Sequence, residues 1–151
     1  MEKWNNIEDV LDFAMDSEEE AVQFYTRLAE RVEKPWMRAV FEGFAREEQG
    51  HKAKLAAIKE GRVDLPAPAK VQDLKIGDYL VEQKPDAELD YQQALILAMK
   101  KEKAAFRLYS DLAEIAPNEK LRQTFLALAQ EEAKHKLRFE VEYDDNILKE
   151  N

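Results

Sequence analysis

Shifted by 84 residues, the chain matches itself without a gap: between residues 11–55 and 95–139, 16 of 45 positions are identical. About three would coincide by chance at average residue usage. The matched pairs include Leu11/Leu95, Ala14/Ala98, Met15/Met99, Glu18/Glu102, Tyr25/Tyr109, Arg38/Arg122, Phe41/Phe125, Glu48/Glu132 and His51/His135. A repeat of this length is one supersecondary unit used twice, so the fold has to suit both copies.

The unit reads as two helices. In the first copy, Ile7, Leu11, Ala14, Glu18, Ala21, Tyr25, Leu28 and Val32 recur at alternating steps of four and three. That stripe is the inward face of an antiparallel bundle helix. It predicts a helix over 7–32 with Asn5 or Asn6 as its cap. Pro35 suits the first turn of a second helix. Its stripe is Met37, Phe41, Phe44, Glu48, His51, Leu55 and Ile58, and Gly61 is a natural stop. The second copy repeats both stripes: Tyr91, Leu95, Ala98, Glu102, Ala105, Tyr109, Leu112, Ala116, then Leu121, Phe125, Leu128, Glu132, His135, Phe139. Asn118 is the expected cap of the last helix, which should fray after Tyr143.

Between the copies, residues 62–89 contain Pro66, Pro68, Gly77 and Pro85 and cannot form one long helix. A short amphipathic piece is expected over 71–81. A helix of 25 residues is about 38 Å long, a distance that this connector can easily span. The expected fold is therefore all-α: one ferritin-like antiparallel four-helix bundle over 1–151, with a hairpin at 5–61, a long crossover at 62–89 and a hairpin at 90–145.

The stripes are apolar except at their middles. There stand Glu18, Glu48 with His51, Glu102, and Glu132 with His135, and the chain has no other histidine. Glu and His three residues apart share a helix face. Four carboxylates in an apolar core would be costly to desolvate and would repel one another. Two divalent cations would cancel their charge, with the imidazoles adding neutral nitrogen ligands. One glutamate from each of two helices and Glu-x-x-His from each of the other two is the ligand pattern of di-iron and di-manganese carboxylate bundles. Oxygen and nitrogen donors without sulfur suit iron or manganese, and zinc also. Tyr25 and Tyr109 follow Glu18 and Glu102 on the same stripes; each is either core packing or a hydroxyl that holds a ligand carboxylate. Glu19, Glu20, Glu47 and Glu131 lie off the stripes and read as solvated. Trp4, Trp36, Met15 and Met99 read as packing.

Composition narrows the rest. A net charge of −9, with no basic patch, argues against nucleic acid or an anionic membrane as partner. No apolar run approaches the roughly 20 residues of a membrane span, and residues 1–5 carry no signal-peptide core. The absence of cysteine removes disulfides, thiolate zinc, iron–sulfur clusters and thiol catalysis, and fits a cytoplasmic setting.

The segments Glu18-x-x-Ala21-x-x-Phe24-Tyr25, Phe44-Ala45-Arg46-Glu47-Glu48-Gln49-Gly50-His51, Glu102-x-x-Ala105-x-x-Leu108-Tyr109 and Leu128-Ala129-Gln130-Glu131-Glu132-Ala133-Lys134-His135 resemble the rubrerythrin family of the ferritin-like superfamily. The resemblance implies a centre of two iron ions with Glu18, Glu48, His51, Glu102, Glu132 and His135 as ligands, Glu48 and Glu132 bridging, and no catalytic residue beyond them. It implies an oxidoreductase that reduces hydrogen peroxide or dioxygen in oxidative-stress defence. Two departures stand out. There is no Cys-x-x-Cys rubredoxin domain, so electrons would come from a separate donor such as a rubredoxin. Family members also carry a further glutamate three residues after the helix-three ligand, where this chain has Ala105. The six-ligand set therefore also resembles a ferroxidase centre. An iron-handling protein and a non-catalytic metal-binding sensor domain are the alternatives, and a homodimer is an assembly the resemblance allows.

Overall fold

The computed structural model describes residues 4–61, 65–81 and 89–145. Among them are helices α1 (Ile7–Arg31), α2 (Pro35–Gly61), α3 (Pro68–Gln72), α4 (Tyr91–Ile115) and α5 (Glu119–Tyr143), a 3₁₀ turn at Ile76–Tyr79, and no strand. The described residues form two compact units, 4–72 and 73–145.

In the first unit α1 and α2 pack as an antiparallel hairpin joined by residues 32–34. Asn6 starts α1: its side chain accepts the Asp9 N–H at 3.0 Å, and Asp9 in turn accepts the Asn5 N–H. The first of these bonds satisfies a donor that the first helical turn leaves without a partner, and the second fixes the chain entering the helix. At the other end Arg38 of α2 reaches back, donating to the carbonyls of Ala29 and Val32 at 3.2 Å each. It thereby caps the C-terminus of α1, where a cation is also favoured by the helix dipole. The buried stripe is Ile7, Leu11, Ala14, Ala21, Tyr25 and Leu28 on α1 and Met37, Phe41 and Leu55 on α2. Phe44 and Ile58 sit at its edge, half-buried. Phe44 still lies against Tyr25 and Phe41, with ring centroids 6.3 and 6.4 Å apart. Trp4 packs on Phe13 as expected.

Trp36 faces outward instead: it is 55% exposed, with the Lys34 ammonium 5.5 Å from its ring. Met37 begins the inward stripe of α2, so its neighbour, 100° around the helix, turns away from the core. Met15 and Met99 are half-buried rather than core.

In the second unit α4 and α5 form the matching hairpin. Asp90 and Gln93 make a capping box at the start of α4, and Asn118 caps α5 through the Leu121 N–H at 2.8 Å. The α5 stripe runs on past Phe139 to Glu142, a buried carboxylate that accepts the Tyr91 hydroxyl at 2.6 Å.

The expected amphipathic piece over 71–81 is two short elements, because the backbone turns at Asp73–Leu74 between α3 and the 3₁₀ turn. Val71 of α3 is buried, and α3 lies on α1. The 3₁₀ turn lies on α4, where Tyr79 donates to Asp111 at 2.6 Å and Arg107 donates to Asp78 at 3.4 Å. Burial and the Asp111 carboxylate push the Tyr79 phenol above its usual range. The end of α2 at Gly61 agrees with expectation. Pro85 and the tail after residue 145 lie outside the described residues.

Arg38 and Arg122 are repeat equivalents with unequal roles: Arg122 pairs with Glu119 on its own helix, both exposed. Arg38→Met should destabilise the protein by about 1 kcal/mol through loss of the α1 cap. Arg122→Met should cost less than about 0.5 kcal/mol. Urea denaturation of both variants checks the order; equal losses would show that Arg38 does not act as a cap.

Candidate metal centre

Each hairpin brings a Glu/Glu/His triad out of an apolar stripe. In the first, α1 contributes Glu18 and α2 contributes Glu48 and His51, all three buried. In the second, α4 contributes Glu102 and α5 contributes Glu132 and His135, equally buried. Helices hold these groups because the Glu-x-x-His spacing puts both side chains of α2, or of α5, on the inward face. Antiparallel pairing then sets the α1 or α4 glutamate against them.

The nitrogen–oxygen distances within each triad are longer than an ordinary hydrogen bond and close to the separation of two ligands on one cation. His51 Nδ1 stands 3.7 Å from Glu18 Oε2 and 3.6 Å from Glu48 Oε2, and His135 Nδ1 stands 3.6 Å from Glu102 Oε1. A hydrogen bond of this type spans about 2.7–3.2 Å. Two ligands about 2.1 Å from one cation, 90–120° apart, lie about 3.0–3.6 Å from each other. Within each triad the three possible ligand atoms lie within 4.8 Å of one another. The donor set of carboxylate oxygens and imidazole nitrogens fits iron, manganese or zinc.

The electrostatics point the same way. Burial raises the Glu18 carboxyl well above its usual range, and the neighbouring Glu48 charge raises it further, against the opposing pull of His51. Burial alone would lower the His51 imidazolium, but the Glu18 and Glu48 carboxylates outweigh it and lift His51 to about 11. Both directions mean that the metal-free triad holds on to protons to reduce its negative charge. A metal cation would take over that task.

Tyr25 and Tyr109 lie where the repeat places them, fully buried on α1 and α4, seven residues after Glu18 and Glu102. Glu20, Glu47 and Glu131 are exposed, and Glu19 pairs with Lys52 at 2.9 Å. The Tyr91–Glu142 pair is not among the sequence expectations. A signal for it exists, because Glu142 continues the steps Glu132, His135, Phe139 by one more interval of three.

The model of the Rubrerythrin family matches residues 9–143. The crystal structure of a ferritin-like diiron-carboxylate protein from Thermotoga maritima agrees with this chain at a TM-score of 0.75. The match spans 97% of this chain and 99% of that one, at 21% sequence identity. The likeness shows the fold, the ferritin-like four-helix one expected above. No curated protein matches the chain. No helix among the described residues is long and apolar enough to cross a membrane.

The raised values of Glu18 and His51 give stability a definite pH slope. Each group contributes stability that is complete below its unfolded value, 4.5 or 6.5, and is lost as pH rises through its folded value. Chelator-treated protein should therefore melt at a lower temperature at about pH 8.5 than at about pH 5.5. Divalent metal, which binds the deprotonated ligands, should reverse that order. Calorimetry of both samples checks this; a chelated protein that gains stability over that range would contradict it.

Proposed function

Because the chain belongs to the rubrerythrin family, we propose that its two triads together hold a two-iron centre that reduces hydrogen peroxide or dioxygen. The observation that carries this reading is the pair of buried Glu/Glu/His triads at repeat-equivalent positions, Glu18/Glu48/His51 and Glu102/Glu132/His135. It is supported by the shared fold of the Thermotoga maritima protein, itself described as a diiron-carboxylate one. Manganese or zinc would fit the same donors.

Bound iron would supply electrons and Lewis acidity. The chain's own groups do the rest. Glu18, Glu48, His51, Glu102, Glu132 and His135 would hold the ions, with the four carboxylates balancing the charge of two divalent cations and Glu48 and Glu132 in the role that the family pattern would give them. The histidines present Nδ1 toward the carboxylates, which leaves the other ring nitrogen to fix the tautomer. The apolar stripes around both triads keep bulk water out and strengthen every charge interaction within. Tyr25 and Tyr109, buried on the same stripes, would steady the ligand layer through their hydroxyls.

Without cysteine the chain has no electron-transfer cluster of its own. A separate donor protein, rubredoxin-like in chemistry, would complete the cycle in the cytoplasm, and pairing into a homodimer is compatible with this role. A second reading, ferroxidase, is favoured by Ala105, which leaves each triad with three side-chain ligands and no spare carboxylate at that place.

Anaerobic reconstitution should give two ferrous ions per chain. Stopped-flow oxidation with peroxide should then be faster than for free ferrous ion and faster than with dioxygen. Glu48→Ala and His51→Ala should each lower bound iron or the oxidation rate by about tenfold or more. Faster oxidation by dioxygen, with iron accumulating beyond two per chain, would establish the ferroxidase reading instead. Oxidation no faster than that of free ferrous ion would remove both.

A further inference from the structure

The net charge of −9 is unevenly spread, and the two copies of the repeat differ in their share of it. On the outward side of the second hairpin, Lys100 and Lys103 of α4 and Lys134 of α5 are all exposed. Their equivalents in the first copy are Asp16, Glu19 and Gly50. Leu137 and Val141 continue the α5 face from Lys134, 60% and 41% exposed, where the first copy has Ala53 and Ala57. Steps of three and four put Lys134, Leu137 and Val141 on one side of α5, and Lys100 and Lys103 on one side of α4. No run in the sequence reveals this basic group, because its members are divided between two helices.

The Tyr91–Glu142 and Gln92–Tyr143 bonds fix the antiparallel register and bring Lys100 level with Lys134. Other cations nearby are answered: Lys136 by Glu140 along its own helix, and Arg107 by Asp78. Lys101 and Arg138 have partners as well. Lys100, Lys103 and Lys134 meet no carboxylate among the described residues. From Lys103 to Val141 the face runs about 15 Å along the helices, and it is two helices, about 20 Å, wide.

Exposed leucine and valine beside unpaired lysines have the make-up of a contact surface, an apolar area with a charged border. A second copy of the chain suits it poorly, because a two-fold interface sets the lysines of one face near those of the other. An acidic partner is attracted here and repelled by the chain's overall negative charge, which selects one orientation. The small footprint suits a brief encounter of the electron-transfer kind rather than permanent assembly. Lys103 follows Glu102 and Lys134 precedes His135, so a protein seated here lies about one helix thickness, 10–12 Å, from the second triad. We propose that this face of α4 and α5 docks the separate electron donor, an acidic one-electron carrier protein. Each encounter oxidises one carrier by one electron and reduces one ferric ion to ferrous. This rests on the two-iron reading above and adds to it where, and by what charge, the donor is recognised.

Calorimetry of the oxidised, iron-loaded full chain, with an oxidised rubredoxin of net negative charge as the probe, measures docking with no electron in motion. Binding should weaken at least about tenfold between about 20 and 300 mM salt. Lys103→Glu should weaken it about threefold at low salt, and Lys100→Glu, Lys103→Glu and Lys134→Glu together about tenfold or more. Leu137→Ser should weaken it about threefold at any salt. Arg46→Glu, a reversal on the first hairpin, should change it less than about twofold. Stopped-flow reduction of the same proteins by reduced rubredoxin should lose second-order rate in the same proportions. Circular dichroism verifies that the variants are folded. Binding without salt dependence, a folded triple variant that binds like the wild type, or an Arg46→Glu loss equal to that of Lys103→Glu would overturn the inference while leaving the iron centre intact. Tight binding of phosphatidylglycerol vesicles that the triple variant loses would assign the face to a membrane instead. A dimer that Leu137→Ser dissolves in sedimentation would assign it to a second copy. A chain that takes up no pair of irons would remove the two-iron reading, and the donor role with it.

Discussion

Burying carboxylates is the constraint that the rest of this molecule answers. Glu18, Glu48, Glu102 and Glu132 are as buried as the leucines and phenylalanines of the same stripes. An isolated charge in such surroundings is costly, and even a paired one rarely recovers its full desolvation penalty. The chain nonetheless keeps these groups in the middle of four helices whose other inward positions are apolar. The raised Glu18 and His51 values express the same tension as a demand for positive charge. Protons meet that demand in part. Divalent cations meet it more fully, because each brings two charges and accepts several ligands at once.

The repeat explains how so demanding a centre is assembled economically. One hairpin supplies one Glu from its first helix and Glu-x-x-His from its second, and a second copy doubles the set. Neither copy needs irregular backbone to do so. Helical spacing alone aims the ligands, caps at Asn6, Asp90 and Asn118 define where α1, α4 and α5 begin, and Pro35 opens α2. Fixed ends hold the register, and register decides whether Glu18 stands level with Glu48 and His51 or a turn away.

The features legible in the sequence are those written in periodicity. Both hairpins, their caps at Asn6 and Asn118, the stop at Gly61 and the burial of all six ligand-type residues follow from alternating steps of three and four. The features that escape it depend on contacts between segments. Trp36 resembles Trp4 in lying near a helix start, yet only Trp4 finds Phe13 to pack against. The connector reads as one amphipathic piece, but Val71 and Tyr79 serve different helices, α1 and α4, so the backbone breaks between them. Glu142 escapes because a carboxylate near a helix end ordinarily reaches water; the Tyr91 hydroxyl across the hairpin is what lets it stay inside.

Ligands select a metal more firmly than they select a reaction. Carboxylates and imidazoles at these spacings define charge, geometry and donor hardness, which are what iron or manganese responds to. What the metals then do depends on groups that need not be ligands at all. Ala21 and Ala105 occupy the inward position one turn beyond Glu18 and Glu102, and neither carries a side-chain oxygen to offer to a metal.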